Sequence, residues 1–222
     1  MSTYKSMSSG DTLVPRSTWL PNSALEGDVG VLKDNTGTFV TAFQRILELH
    51  KPNHPIALFS LCTSTRPYSV SEKWKAFIER FGDRCDPVVY SNGGVIPLDW
   101  EFQYPFMEYD AKSTSSKTTA NLYREIVGAR LKMFLESHRY EYVLFATLLS
   151  DTSDRIRNVL PDLCEQLVSD GFIKGFAIMP DEKLNAKIKE TLDAGKVSKY
   201  HPLKSECFLD AVESQIQKWS KL

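Results

Sequence analysis

A chain of 222 residues is long enough for one α/β domain with a sizeable core and short for two. With 42% hydrophobic and 11% aromatic residues it is too apolar for disorder, and its 25% charged residues are spread too evenly for a membrane span. The 27 Lys plus Arg against 28 Asp plus Glu give a formal net charge of -1, which argues against a surface devoted to coating nucleic acid and leaves room for a local basic patch.

Residues 1–23 are rich in Ser, Thr and Pro and read as a flexible arm ahead of a single α/β domain over 24–222. A first helix is expected over Thr38–His50, with Val40, Phe43, Ile46 and Leu47 on one face, after the turn-like Asp34–Gly37 and before Pro52 and Pro55. The short apolar run Ile56–Leu61, bounded by proline, reads as a buried strand. Ser71 is placed to cap a helix in which Trp74, Phe77, Ile78 and Phe81 keep helical spacing up to Gly82. A second strand is expected at Pro87–Ser91, followed by an irregular segment from Asn92 to Lys117. Next come a long helix over Ser116–His138 with Leu122, Ile126, Ala129 and Phe134 inward, and a strand at Tyr142–Leu148. The helical stretch Ser153–Asp170 contains Pro161, which requires a kink or two shorter pieces. A strand at Phe172–Met179 and helices over Asp181–Ala194 and Ser205–Trp219 complete the chain, the last amphipathic through Phe208, Val212, Ile216 and Trp219. Strands alternating with helices predict a three-layer α/β sandwich with a mostly parallel sheet and ligands at the carboxyl ends of its strands.

Several function classes drop out. There is no GxxxxGK loop, GxGxxG, HExxH or GxSxG. Cys62, Cys85, Cys164 and Cys207 are dispersed, form no CxxC pair and follow no leader-like segment, which fits a reduced, cytoplasmic protein. His50, His54, His138 and His201 share no ligand spacing with them, so neither a metal nor a cofactor is expected.

Two stretches carry chemistry. The first runs from Cys62 through Ser64, Arg66, Pro67, Tyr68 and Ser71 to Trp74, placing a thiol, hydroxyls and a guanidinium between a strand end and a helix start, as an anion or polar-ligand cradle requires. Its structural alternative makes Cys62 a small core hydrophobe and Ser71 a simple cap. Arg66 is harder to assign to structure alone, because a guanidinium at a strand end calls for a carboxylate or phosphate. The second stretch runs from Ser91 to Asp110 and includes Gly93, Gly94, Asp99, Glu101, Tyr104 and Tyr109. Paired glycines admit a close ligand, aromatics stack on a planar base, and Glu101 or Asp110 suits a guanine-like donor edge. The alternative is a surface loop pinned by its own aromatics, with Asp110 as a turn residue.

Together these stretches resemble the catalytic core domain of archaeosine synthase, an archaeal transfer-RNA modification enzyme. That family's pattern is Pro-Cys, three residues, Lys-Pro-Tyr, two residues, Ser, two residues, His. Leu61-Cys62, Arg66-Pro67-Tyr68, Ser71 and Trp74 occupy it at identical spacing. Downstream, Gly94–Pro97, Glu101, Tyr104-Pro105 and Tyr109-Asp110 are similar as well, and the resemblance covers about residues 55–150. It implies a fold like that of uracil-DNA glycosylases and a reaction adding an amine, lysine in the family, to the nitrile of a 7-cyano-7-deazaguanine base in RNA. Arg66 replaces the pattern's Lys, Trp74 its His and Leu61 its Pro.

Two functions are therefore expected. In one, the chain is an enzyme: Cys62 is the nucleophile and Asp110 a second catalytic residue, Arg66 binds a phosphate or carboxylate, Ser64, Ser71 and Tyr68 position it, Gly93, Gly94 and Tyr109 line the base, and Asp110 or Glu101 reads its edge. In the other it is a noncatalytic subunit that keeps the pocket for a modified purine base, in transfer RNA or DNA, beside a protein partner that supplies nucleic-acid binding. Neither involves a membrane.

Overall fold

The computed structural model of the protein describes residues 36–109, 117–148, 156–193 and 202–222, together with positions 13, 14, 17, 31, 33 and 34. Five strands, β1 (Ile56–Leu61), β2 (Asp86–Ser91), β3 (Gly94–Pro97), β4 (Tyr142–Ala146) and β5 (Gly175–Met179), form one sheet in the order β3-β2-β1-β4-β5. All pairings are parallel except that of β2 with β3. Among the described residues the α-helices are α1 (Thr38–Leu49), α2 (Glu72–Phe81), α3 (Lys117–Ser137), α4 (Leu160–Ser169), α5 (Glu182–Asp193) and α6 (Glu206–Trp219).

Central β1 explains the layering. Successive side chains of a strand point to opposite faces. Phe59 meets Phe134 of α3 edge-on at 6.0 Å, whereas the next residue, Ser60, accepts a hydrogen bond from Lys73 of α2 at 3.1 Å. Helices α3 and α2 therefore cover opposite faces of the sheet. Phe77 stacks on Phe208 at 6.2 Å and Trp219 on Tyr142 at 5.0 Å, which places α6 beside α2 and buries the apolar stripe expected of the last helix. With both faces covered, β1 carries an almost unbroken apolar run, as parallel strands do.

The expected elements recur with several corrections. Val40 of α1 is exposed; the buried face runs through Phe39, Ala42, Phe43 and Ile46. Asp34, in the left-handed region (φ 48°), accepts the Val40 amide at 2.6 Å and so starts this helix. In α3, Ala129 faces solvent and Leu122 and Ile126 are only partly buried; Tyr123, Val127, Arg130, Leu131, Phe134 and Leu135 point inward. The segment after Ser91 is not irregular throughout: it begins with β3 and a 3-10 turn at Leu98–Trp100. Strand β5 starts at Gly175, leaving Phe172 exposed outside it. The Pro161 stretch resolves into two pieces, a 3-10 turn at Arg157–Val159 and then α4 with the proline in its first turn, where no amide hydrogen bond is lost. Of residues 1–23, only Leu13, Val14 and Ser17 are described, and the first two are buried.

The amino ends of β1, β2 and β4 are fastened by one carboxylate. Asp86 accepts the amides of Asn53 (2.8 Å) and His54 (3.3 Å), the His54 ring (2.7 Å) and the Tyr140 hydroxyl (3.2 Å). Tyr140 is joined in turn to His50 at 2.9 Å. This leaves the carboxyl ends as the edge on which a site can be built.

Candidate functional site

Cys62 extends β1 by one residue, its amide donating to Tyr90 at 3.0 Å. The chain then turns through residues 63–67 into a 3-10 turn at Tyr68–Val70 and enters α2 under the Ser71 cap. Across the gap, the two-residue connection Asn92-Gly93 folds β3 back on β2. The two stretches singled out in the sequence meet here. Arg66 lies over the rings of Tyr68 and Tyr109, 4.4 Å and 4.7 Å from their centroids, and its Nη1 donates to the Thr63 carbonyl. The Tyr68 and Tyr109 hydroxyls are 2.7 Å apart, and Tyr109 donates to Ser91 Oγ at 2.7 Å. Ser91 Oγ also accepts the Gly93 amide at 3.1 Å. Since the Tyr109 proton is committed to Ser91, Tyr68 donates to Tyr109, and the chain of hydroxyls has one direction.

Burial pushes the Tyr68 phenol well above its usual pKa and that of Tyr109 up to about 12. Both are neutral at physiological pH and serve as hydrogen-bonding groups rather than bases. Burial also works to lower the Arg66 pKa, but the facing Tyr109, Tyr68 and Cys62 outweigh it and the value rises. Cys62 thus interacts electrostatically with all three residues, and its side chain is only partly buried. In Cys85 and Cys164, by contrast, burial raises the thiol to about 12, which leaves both unreactive.

Gly93 is required by close approach: a Cβ there would lie 3.1 Å from the Tyr109 ring and 3.2 Å from Phe39. Gly94 has a φ of 122°, and its missing Cβ makes room for the Arg130 guanidinium, whose Nη1 would lie 3.3 Å from that atom. The remaining candidates divide. Ser71 Oγ accepts the Trp74 amide at 3.4 Å, Ser64 is exposed, and Asp110 lies outside the described residues. Glu101 is buried, and its Oε2 accepts the Ser69 amide at 2.9 Å, bracing one stretch against the other.

Burial raises the Glu101 pKa, against the opposing effect of its hydrogen bonds to Ser69 and Tyr68. A carboxyl that holds its proton more tightly in the fold contributes stability below its unfolded pKa of about 4.3 and loses that contribution as pH rises through the folded value. Glu101→Gln, which keeps an acceptor for Ser69, is therefore expected to gain stability over the parent at pH 7 and to lose the advantage at pH 4. Urea denaturation at the two pH values checks this, and a larger advantage at pH 4 would contradict it.

Among the described residues, three cations at this edge were not singled out from the sequence. Lys73 is buried in the first turn of α2, donating to Ser60 Oγ and to the Leu61 carbonyl. Its position four residues before Phe77, on the apolar face, was the available signal. Arg157 donates to Thr147 Oγ and, at 2.7 Å, to the Pro180 carbonyl, tying the ends of β4 and β5. Arg130 is buried beside the hairpin, and desolvation lowers its pKa against the opposing charge of Asp34. Among the described residues no group of three or more His, Cys, Asp or Glu is placed to hold a metal ion, and no helix is long and apolar enough to cross a membrane.

No curated protein matches the chain. Among solved structures it is similar to the crystal structure of AF0587, a protein of unknown function, at 16% identity and a TM-score of 0.49. The alignment covers 78% of this chain and 48% of that one, so the chain spans about half the length of its structural relative. The family described as "Domain of unknown function (DUF5591)" matches residues 40–175, which include both stretches of the candidate site. Over more than half its length, then, the chain carries that family's pattern, and it belongs to the DUF5591 family.

Proposed function

We propose that the chain binds a 7-deazaguanine-type base, in transfer RNA or DNA or as a free nucleotide, and adds an amine to its nitrile, on a fold of the uracil-DNA glycosylase kind. One observation carries this reading: Arg66 and Tyr68 from one stretch and Tyr109, Ser91 and Gly93 from the other form a single connected cluster at the carboxyl edge of the sheet. That arrangement fits the resemblance to the archaeosine synthase core, whose matching positions lie in the same two stretches.

The chemistry is addition followed by displacement. The Cys62 thiolate adds to the nitrile carbon while the nitrile nitrogen takes a proton, giving a thioimidate. A neutral amine, such as that of lysine, then attacks the same carbon, loses its proton and expels the thiolate, leaving an amidine. Arg66 cannot give up its proton and so acts as an anion-binding group. Lys73, whose Nζ is held at the end of β1, is the nearby amine available for proton transfer in place of the pattern's missing Lys and His. The site is expected to work in a cytoplasmic, reducing setting, where the thiol is preserved.

A second reading is favoured by one observation. Trp74, at the pattern's His position, is fully buried, so no imidazole faces the cluster from there. A subunit that binds the base beside a protein partner supplying nucleic-acid contacts would tolerate that loss. Titration calorimetry with 7-cyano-7-deazaguanine, followed by mass spectrometry after addition of lysine, separates the two. Binding with a mass increase of product supports the enzyme, binding without product supports the subunit, and absence of binding contradicts both.

A further inference from the structure

Arg130 has no role in the cluster described above. It sits on the inward face of α3 at 7% exposure, its Nη1 has no hydrogen-bond partner, and among the described residues no ion pair reaches it. A guanidinium taken out of water without a partner costs several kcal/mol, which folded proteins avoid unless the charge meets an anion. Among the described residues the carboxylate whose charge it feels is Asp34, and that group is otherwise engaged: Oδ2 accepts the Val40 amide at 2.6 Å and Oδ1 the Thr36 hydroxyl at 3.4 Å. The guanidinium lies instead against Gly94, where the absent Cβ leaves it beside the turn that also carries Gly93 and Ser91. Arg66, which lies over the Tyr109 ring, likewise has a buried Nε without a partner.

We propose that Arg130 is the receptor for an oxyanion, a carboxylate or a phosphate, brought to the hairpin by a small ligand. Carboxylate and phosphate are the groups a planar five-donor fork pairs with best. The side chain is fixed in place and already desolvated before the ligand arrives, so little ordering remains to oppose binding. A carboxylate would come from an amino-acid donor and a phosphate from a nucleotide. The inference stands on Arg130 and needs no particular base.

The test uses the full chain and two probes, inorganic phosphate and acetate, read by thermal unfolding, since an anion that binds only the folded state raises the melting temperature with its concentration. The parent is expected to respond to one of the two, which identifies the source. Arg130→Met should unfold at the same temperature or higher, because an unpaired charge has been replaced by an apolar side chain, and its affinity for that probe should fall about tenfold or more. A parent that responds to neither probe, or an Arg130→Met protein that responds as the parent does, overturns the proposal. Should Arg130→Met fail to fold, Arg130→Lys decides: it keeps the charge but not the fork, so an unchanged response overturns the proposal and a weakened one supports it. Because 7-cyano-7-deazaguanine carries no oxyanion, its calorimetry reports on the base-binding reading alone, and either idea can fail without the other.

Discussion

Cys62→Ser is expected to reduce product formation from the nitrile by at least about 1000-fold, equivalent to ~4 kcal/mol of activation free energy. A hydroxyl is far less ionised than a thiol near neutral pH and is a poorer nucleophile toward a nitrile carbon. The substitution changes one atom at a partly buried position beyond the end of β1, so stability should move by less than about 1 kcal/mol. Binding of the free base should persist, since Arg66, Tyr68 and Tyr109 are untouched. Single-turnover mass spectrometry is the suitable measurement, because a covalent adduct of the parent with the nitrile should appear and vanish as amine is added. Turnover retained in Cys62→Ser would take the thiol out of the reaction, and a parent that binds the base with neither adduct nor product would make the chain a binding subunit.

Trp74→His, which introduces the residue that the archaeosine synthase pattern has there, is expected to destabilise the protein by about 3 kcal/mol or more without raising turnover. Trp74 has 0% exposure and meets Phe77 edge-on at 5.7 Å, with Lys73 Nζ 5.0 Å from its ring. An imidazole would leave part of that space empty and place two polar nitrogens where the indole already has one without a partner. Urea or thermal unfolding gives the stability change, and the product assay gives the second half of the prediction. A variant as stable as the parent and more active would mean that position 74 reaches the reacting groups.

Much of the architecture was legible in the sequence where several local signals agreed. Helix α2 has its cap at Ser71, helical spacing from Trp74 to Phe81 and Gly82 at its end; β1 is an apolar run between Pro55 and the hydroxyl-rich turn. Strand β3 was not legible, because its four residues begin with Gly94 and end with Pro97, both poor strand formers. Proline is nevertheless tolerated on an edge strand, and the Asn92-Gly93 dipeptide was a hairpin signal. The buried face of α3 was misassigned because Arg130 occupies it and apolar residues also lie off it.

At the site, the pairing of two distant stretches was foreseeable from their chemistry, whereas the division of labour within them was not. A carboxylate that binds a backbone amide, as Glu101 does, has the same composition as one that waits for a ligand. Lys73 and Arg130 escaped notice because charged residues belong to solvent by default, and only their neighbours reveal them as buried.

The fastening at Asp86 bears on how sequences of this kind can diverge. Because one side chain ties down the segments entering β1, β2 and β4, the sheet keeps its alignment whatever happens at its far rim. Exchanges there can alter which molecules are recognised without endangering the scaffold. The same freedom is denied to the aspartate, whose loss would release several elements at once.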